Sequence, residues 1–261
     1  MHADAALDFL PIWALFAVTL LLVLVTFEVG YRLGKRRRAS SEAEKEAPVG
    51  GMVQASLGVL ALMLAFTFGA AATRFDSRRH LVVDEANAIG TTFLRAAMLP
   101  ARGAEVRALL REYVDVRLEA VRSGNVEQGM RRSDELHVLL WDHATALGKE
   151  HPTSIVVGLF IQSLNEVIDL HATRVAVGLR GRVPGVIWAA LYAVAAVSLA
   201  AMGYHAGLTG TSRSLAVLVM AFTFALVIGV IADLDRPGKG MLETSQQAMV
   251  DLQASMAEPK P

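Results

Sequence analysis

The chain contains no cysteine, which excludes disulfides, thiolate nucleophiles, iron–sulfur clusters and cysteine-based zinc sites, and leaves the redox compartment undetermined. It also lacks an overall sign of charge. Lys plus Arg and Asp plus Glu number 25 each, so nothing in the balance calls for nucleic acid or for an acidic substrate. No Gly-rich phosphate loop, nucleophile elbow or paired-acid motif is present, so no catalytic residue is assigned, no cofactor is expected, and the chain is not read as an enzyme. What the sequence does have is apolar length. Its 54% hydrophobic composition and mean hydropathy of +0.43 exceed the roughly 45–50% apolar share of soluble domains, and the excess points to lipid.

A helix crosses the hydrocarbon layer in about 20 residues. Four runs of that order carry no interior charge: Leu10 to Phe27, Met52 to Thr73, Val186 to Tyr204 and Leu215 to Ala232. Glu28, Arg74, Arg213 and Asp233 stand just outside their ends. The first run has no Lys or Arg before it and Lys35 to Arg38 after it, the reverse of a cleavable signal peptide, so it is read as a retained anchor. The basic loop favours a cytoplasmic position for itself and places the long connection between the second and third runs outside. Arg74, Arg78, Arg79, Arg174, Arg180, Arg182 and Arg236 on the other side nearly cancel that signal. Gly207 to Ser212 reads as a tight turn joining the last two runs. Trp13, Trp188 and Tyr204 fall near run ends, where amphipathic rings favour the interface.

The segment between the second and third runs reads as helical throughout. Phe75, Val82, Ala86, Ile89 and Phe93 continue the second run as one helix as far as Pro100. Val106, Leu110, Tyr113, Val114, Arg117 and Val121 mark the next helix, closed by Ser123-Gly124-Asn125. Leu136, Leu139, Leu140, His143 and Leu147 mark a third. Thr153 or Ser154 caps a fourth, running through Ile155, Leu159, Ile168 and Val175. The tail carries one short amphipathic helix with Met241, Met249 and Leu252 as its apolar residues. The predicted class is all-α: an integral membrane protein with a tail at 1–9, a first hairpin at 10–73 with a basic loop at 32–51, a helical soluble domain at 74–183, a second hairpin at 184–233 and a tail at 234–261.

Four of the seven histidines, His137, His143, His151 and His171, lie in the inserted domain near carboxylates. None shows the i, i+4 pairing that sets two imidazoles on one helix face, and Asp134 with His137 is a single weak pair. They are therefore read as packing or surface residues, with no metal assigned. The second run is more informative. Gly58, Ala61, Ala65, Gly69 and Ala72 share one side at three- and four-residue spacing, as small residues do where helices approach closely in lipid. Gly58, Leu62 and Phe66 form a neighbouring i, i+4, i+8 stripe. Packing inside one four-helix bundle and the lining of a pore are both open readings of these stripes.

Leu64 to Phe68 (LAFTF), Arg74 to Arg79 (RFDSRR), Glu85 to Gly90 (EANAIG) and Asp233-Leu-Asp-Arg-Pro237 resemble the hallmark segments of the bestrophin-like family of prokaryotic membrane proteins. The likeness spans about residues 52 to 252, and through it the chain is more distantly similar to the bestrophins, pentameric anion channels. The resemblance implies a homo-oligomer in the bilayer that passes inorganic ions, with a pore neck at Gly58, Leu62 and Phe66. Gly58 is a departure that widens one ring. Arg74 and Arg78 would stand at the pore mouth or snorkel to headgroups. Glu85, Asn87, Asp233, Asp235 and Pro237 would serve as a helix-packing motif, with Glu85 and Asn87 bonding between helices. The stretch Arg236-Pro237-Gly238-Lys239-Gly240 lacks the acidic cluster of a calcium clasp. Bestrophins keep their helical domain in the cytosol, which conflicts with the charge rule; for a multi-pass protein of a prokaryotic inner membrane the charge rule is preferred. Two functions follow: an anion-favouring channel, or a non-conducting oligomer whose helical domain binds a partner or senses a signal.

Overall fold

The structure, a computed structural model, describes residues 10–40, 46–211, 215–236 and 240–257. Every element among them is helical: α1 (Ile12–Ala39), α2 (Glu46–Ala96), α3 (Gly103–Ser123), α4 (Val126–Glu150), α5 (Ile155–Val175) with a π-helical turn over Ala176–Arg180, α6 (Gly185–Thr209), α7 (Leu215–Asp235) and α8 (Gln247–Ala257). The chain divides into two compact units, Met1–Arg74 with Arg182–Leu242, and Phe75–Gly181 with Glu243–Pro261.

The first unit contains α1, the opening part of α2, α6 and α7. Its helices meet through small residues. A Cβ placed on Gly30 or Gly34 of α1 would run into the carbonyl oxygens of Ala200 and Tyr204, and one on Gly203 or Gly207 of α6 would run into those of Phe27 and Tyr31. Only glycine permits two backbones to lie this close, and in lipid such proximity supplies the dispersion contact that water would otherwise drive. Two side-chain bonds add to it: Thr19 Oγ1 with Tyr192 Oη at 2.8 Å, and Ser56 Oγ with Ser198 Oγ at 2.5 Å. The aromatic rings of Phe16 and Phe222 meet edge to face at 5.3 Å. Of the rings near run ends, Trp188 is buried and Trp13 is exposed.

The second unit is built on a conventional apolar core. Ile89 of α2, Val106, Leu110, Tyr113 and Val114 of α3, Leu136, Leu140 and Leu147 of α4, and Phe160, Leu164 and Val167 of α5 are fully buried. Each such side chain contributes roughly 1.5–3 kcal/mol by leaving water. Met249 and Met256 of α8 belong to the same core, whereas Met241 is 87% exposed. The helix ends follow local rules. α2 stops at Ala96, four residues ahead of Pro100, which has no N–H to continue the i→i−4 ladder to that carbonyl. Gly124 takes a left-handed φ of 72° to end α3, Asn125 Oδ1 accepts from Gln128 N to start α4, and Ser154 Oγ accepts from Val157 N to start α5.

Three expectations change. Among the described residues, one helix beyond the four expected spans, Ile155–Gly178, is also long and apolar enough to cross a membrane. The apolar residues of α5 at Val157, Phe160, Leu164 and Val167 fill the core of the second unit, while Gln162, Asn165, Glu166 and Asp169 face outward, the pattern of a core helix rather than a span. The buried stripe of α5 is thus offset from the expected one, with Ile155 and Leu159 exposed; Ile155 lies about 200° round the helix from Val157. On α3 and α4, Val121 and Leu139 are likewise exposed.

Candidate functional site

Within the first unit, α2 presents two opposed faces. Val53, Leu60, Thr67 and Ala71 are buried, and residues spaced by seven and four return to within about 20° of one line at 100° per residue. Gly58, Leu62 and Phe66 lie roughly 160–240° away from that line. Leu62 is 56% and Phe66 70% exposed, and a Cβ on Gly58 would touch nothing within 4 Å. Ala61, Ala65 and Gly69 are exposed as well. Neither the small-residue stripe nor the Gly58–Phe66 stripe is therefore a packing surface within one chain. A helix in lipid that leaves a whole face of glycine, leucine and phenylalanine uncovered by its own neighbours offers that face to lipid, to another copy or to a pore.

At the end of this stretch Arg74 is half-buried. Arg78 is buried, with its guanidinium 6.0 Å from the ring of Phe75.

The two acidic residues after the last apolar run hold backbone. Asp233, 5% exposed, accepts from the N–H groups of Met241 (2.7 Å) and Leu242 (3.0 Å). Asp235 accepts from Val183 N at 2.9 Å, and its carbonyl accepts from Arg182 Nη1 at 3.1 Å. The Asp233 carboxylate, taking two amides, thereby fixes the exit of α7, and that of Asp235, taking one, the entry to α6. Pro237 lies outside the described residues.

In the second unit Glu85 is wholly buried and is the hub of a polar network. Tyr113 Oη donates to its Oε1 at 2.6 Å, Arg117 Nε stands 3.4 Å from the same oxygen, and Arg174 Nη1 pairs with Oε2. Arg174 also donates to Gln246 Oε1 at 3.3 Å. Burial by itself raises the Glu85 carboxyl, but the charges of Arg117 and Arg174 and the bonds from Tyr113 and Arg174 outweigh it and hold the group below its ordinary value of 4.5. Burial, and next the Glu85 charge, push the Tyr113 hydroxyl well above 10.0. Asn87 does not share this environment. It is exposed, because two residues along a helix turn the side chain about 200°, so Glu85 and Asn87 stand on different faces of α2.

The network continues into a pair of histidines. Tyr113 Oη lies 3.1 Å from His171 Nδ1, and the rings of His137 and His171 meet edge to face at 4.9 Å. Asp134 Oδ1 stands 3.5 Å from His171 Nε2. Burial, followed by the neighbouring His171, lowers His137 to about 4, and burial, followed by Arg117, lowers His171. Sequence spacing missed this grouping because Asp134 and His137 sit on α4 and His171 on α5. The glycine pairs Gly30/Gly34 and Gly203/Gly207 were also passed over, although their i, i+4 spacing inside apolar runs is itself a signal.

Residues 15–249 match the family described as the bestrophin-like domain. No curated protein matches the sequence. Among solved structures, a bacterial bestrophin homologue from Klebsiella pneumoniae matches in two point variants, with TM-scores of 0.63 and 0.66 at 14% and 15% identity, over 92% and 94% of this chain and 98% and 97% of the other. A structure described as a membrane protein matches with a TM-score of 0.65 at 15% identity, over 94% of this chain and 98% of its own. At such identities the likeness carries the fold. The family match covers most of the sequence, and the chain belongs to the bestrophin-like family of helical membrane proteins.

Proposed function

We propose that this chain is the subunit of a homo-oligomeric, pentameric ion channel favouring anions, with its neck formed by copies of α2. The observation that carries the reading is the opposition of faces on that helix. Val53, Leu60, Thr67 and Ala71 pack within the chain, while Gly58, Leu62 and Phe66 are left outward at i, i+4 and i+8. Repeated about a shared axis, that stripe makes three stacked apolar rings, a constriction that gates by expelling water. Phe66 and Leu62 form the narrow rings and Gly58 a wider one.

Arg74, half-buried at the end of the stripe, is the cation that raises the local concentration of anions. Arg78 is assigned a supporting position against Phe75. Glu85, Asp233 and Asp235 hold helices and turns in place; they do not contact the ion. Membership of the family supports a channel-type protein in a membrane, and the uncharged spans fit conduction through an oligomer rather than a proton relay within one chain. We place the protein in the inner membrane.

Reconstitution into planar bilayers tests the reading. The protein should conduct, its reversal potential should follow the chloride gradient, and Phe66→Ala should raise the conductance. Silence of both proteins across several salts would instead favour a non-conducting oligomer. Val138 and Trp141, 62% and 41% exposed on α4, are the surface through which such a protein would bind a partner.

A further inference from the structure

The second unit contains a cluster whose atoms want a cation. Asp134, His137 and His171 each offer one donor atom, and the three atoms lie within 4.8 Å of one another. His137 is 7% exposed and its Nε2 is buried with no hydrogen-bond partner among the described residues, a costly state for a ring nitrogen. The tautomer of His171 follows from its surroundings. Tyr113 has one hydroxyl proton and gives it to Glu85 at 2.6 Å, so its oxygen accepts from His171 Nδ1 at 3.1 Å. Nε2 of the neutral ring then carries a lone pair, and the group it faces at 3.5 Å is the Asp134 carboxylate. Two electron-pair donors are aimed at each other with no proton between them.

We propose that Asp134, His137 and His171 form a binding site for a zinc-class divalent cation, with Tyr113 and Glu85 orienting His171 from behind. Two imidazoles and one carboxylate suit a borderline ion such as zinc better than calcium or magnesium, which prefer oxygen. With metal–ligand bonds of about 2.0–2.1 Å, tetrahedral ligands stand ~3.3 Å apart. The Asp134–His171 separation of 3.5 Å is near that spacing already, and from a greatest separation of 4.8 Å closure needs the donors to draw together by up to about 1.5 Å. Asp134 has a 72% exposed side chain and provides the route of entry from solvent. The chain of contacts from metal to His171, Tyr113 and Glu85 has the form of the carboxylate-supported histidine that fixes tautomer and basicity at metal centres. Arg117 and Arg174 oppose an added positive charge, but both are paired to Glu85. The ion would tie α4 to α5 and, through Tyr113 and then Glu85, to α3 and α2. The site is independent of whether the protein conducts.

Titrating chelator-treated, detergent-solubilised full-length protein with Co²⁺ tests the site. The visible d–d absorption should saturate at one ion per chain and be displaced by Zn²⁺. It should disappear in His137→Gln and His171→Gln. Tyr113→Phe, which removes only the orienting hydroxyl, should weaken binding ~10–100-fold. Asp134→Asn lies at the surface and keeps the fold, as circular dichroism will verify, so it decides the matter even if the histidine variants do not fold. It should weaken Co²⁺ binding at least ~10-fold, whereas His80→Gln, an exposed histidine elsewhere, should leave it unchanged. No saturable band at one equivalent, or Asp134→Asn binding with wild-type affinity, overturns the proposal.

Discussion

The two units solve the same packing problem with different means. In the first, α1 and α6 touch backbone to backbone at Gly30, Gly34, Gly203 and Gly207, and many of the larger apolar residues, such as Leu21, Leu62, Phe66 and Leu218, face outward. In the second, Leu, Phe and Tyr fill the middle, and buried charge gathers in a network around Glu85. The contrast reflects the solvent. Lipid gives no hydrophobic reward for burying leucine against leucine, so proximity and a few polar bonds must hold helices together. Water gives that reward freely, and the second unit can then carry the cost of a buried carboxylate so long as its partners are present.

Gly203→Leu should break the first unit outright. No rotamer of leucine avoids the Phe27 carbonyl without separating α1 from α6, and size-exclusion chromatography in detergent should show aggregate in place of a monodisperse peak. Glu85→Gln should act on the second unit by ~3–5 kcal/mol, since it leaves Arg117 and Arg174 buried without their counter-charge. Hydrogen exchange should then rise in residues 75–181 and stay unchanged in α1 and α6.

Acid should act on the second unit next. His137 titrates near 4 in the fold against 6.5 in the open chain, so the unfolded chain binds the proton first and stability falls as pH drops from about 6.5 toward 4, by roughly 3 kcal/mol at most. Glu85 has the same sign, because its depressed value makes its contribution fade as pH falls below 4.5 and through the folded value. The groups facing this pair are Tyr113 and Arg117 on α3, Asp134 on α4, and His171 and Arg174 on α5. Thermal melts with chelator present should show the loss, and Ser198→Ala in the first unit should shift stability by only about 0.6 kcal/mol by removing its bond to Ser56.

Periodicity made the helices legible because burial follows it: Val106, Leu110, Tyr113 and Val114 are where the spacing puts the core. It failed where apolar residues outnumber the places inside. On α5, Ile155 and Leu159 were as good candidates as Val157 and Phe160, and only the packing of α3, α4 and α5 selects between stripes. Glu85 and Asn87 were legible as a motif but not as opposites, a distinction that needs the helix turn and not the residue types. The meeting of His171 with Asp134 and His137 was invisible for a different reason, since contacts between α4 and α5 leave no mark in spacing along either helix. The Gly58–Phe66 stripe was readable in sequence as a spacing, and the burial of the opposite face of α2 shows that it points away from the rest of the chain.

The absence of cysteine makes the central claim directly measurable, because a single introduced thiol is the chain's only one. Gly58→Cys, Leu62→Cys, Phe66→Cys and, as a control, Leu60→Cys should be reconstituted and exposed to a water-soluble, charged thiol reagent during current recording. A neck built from the outward stripe of α2 predicts progressive block at 58, 62 and 66 and none at 60. Conductance that is indifferent to modification at all four positions would contradict it.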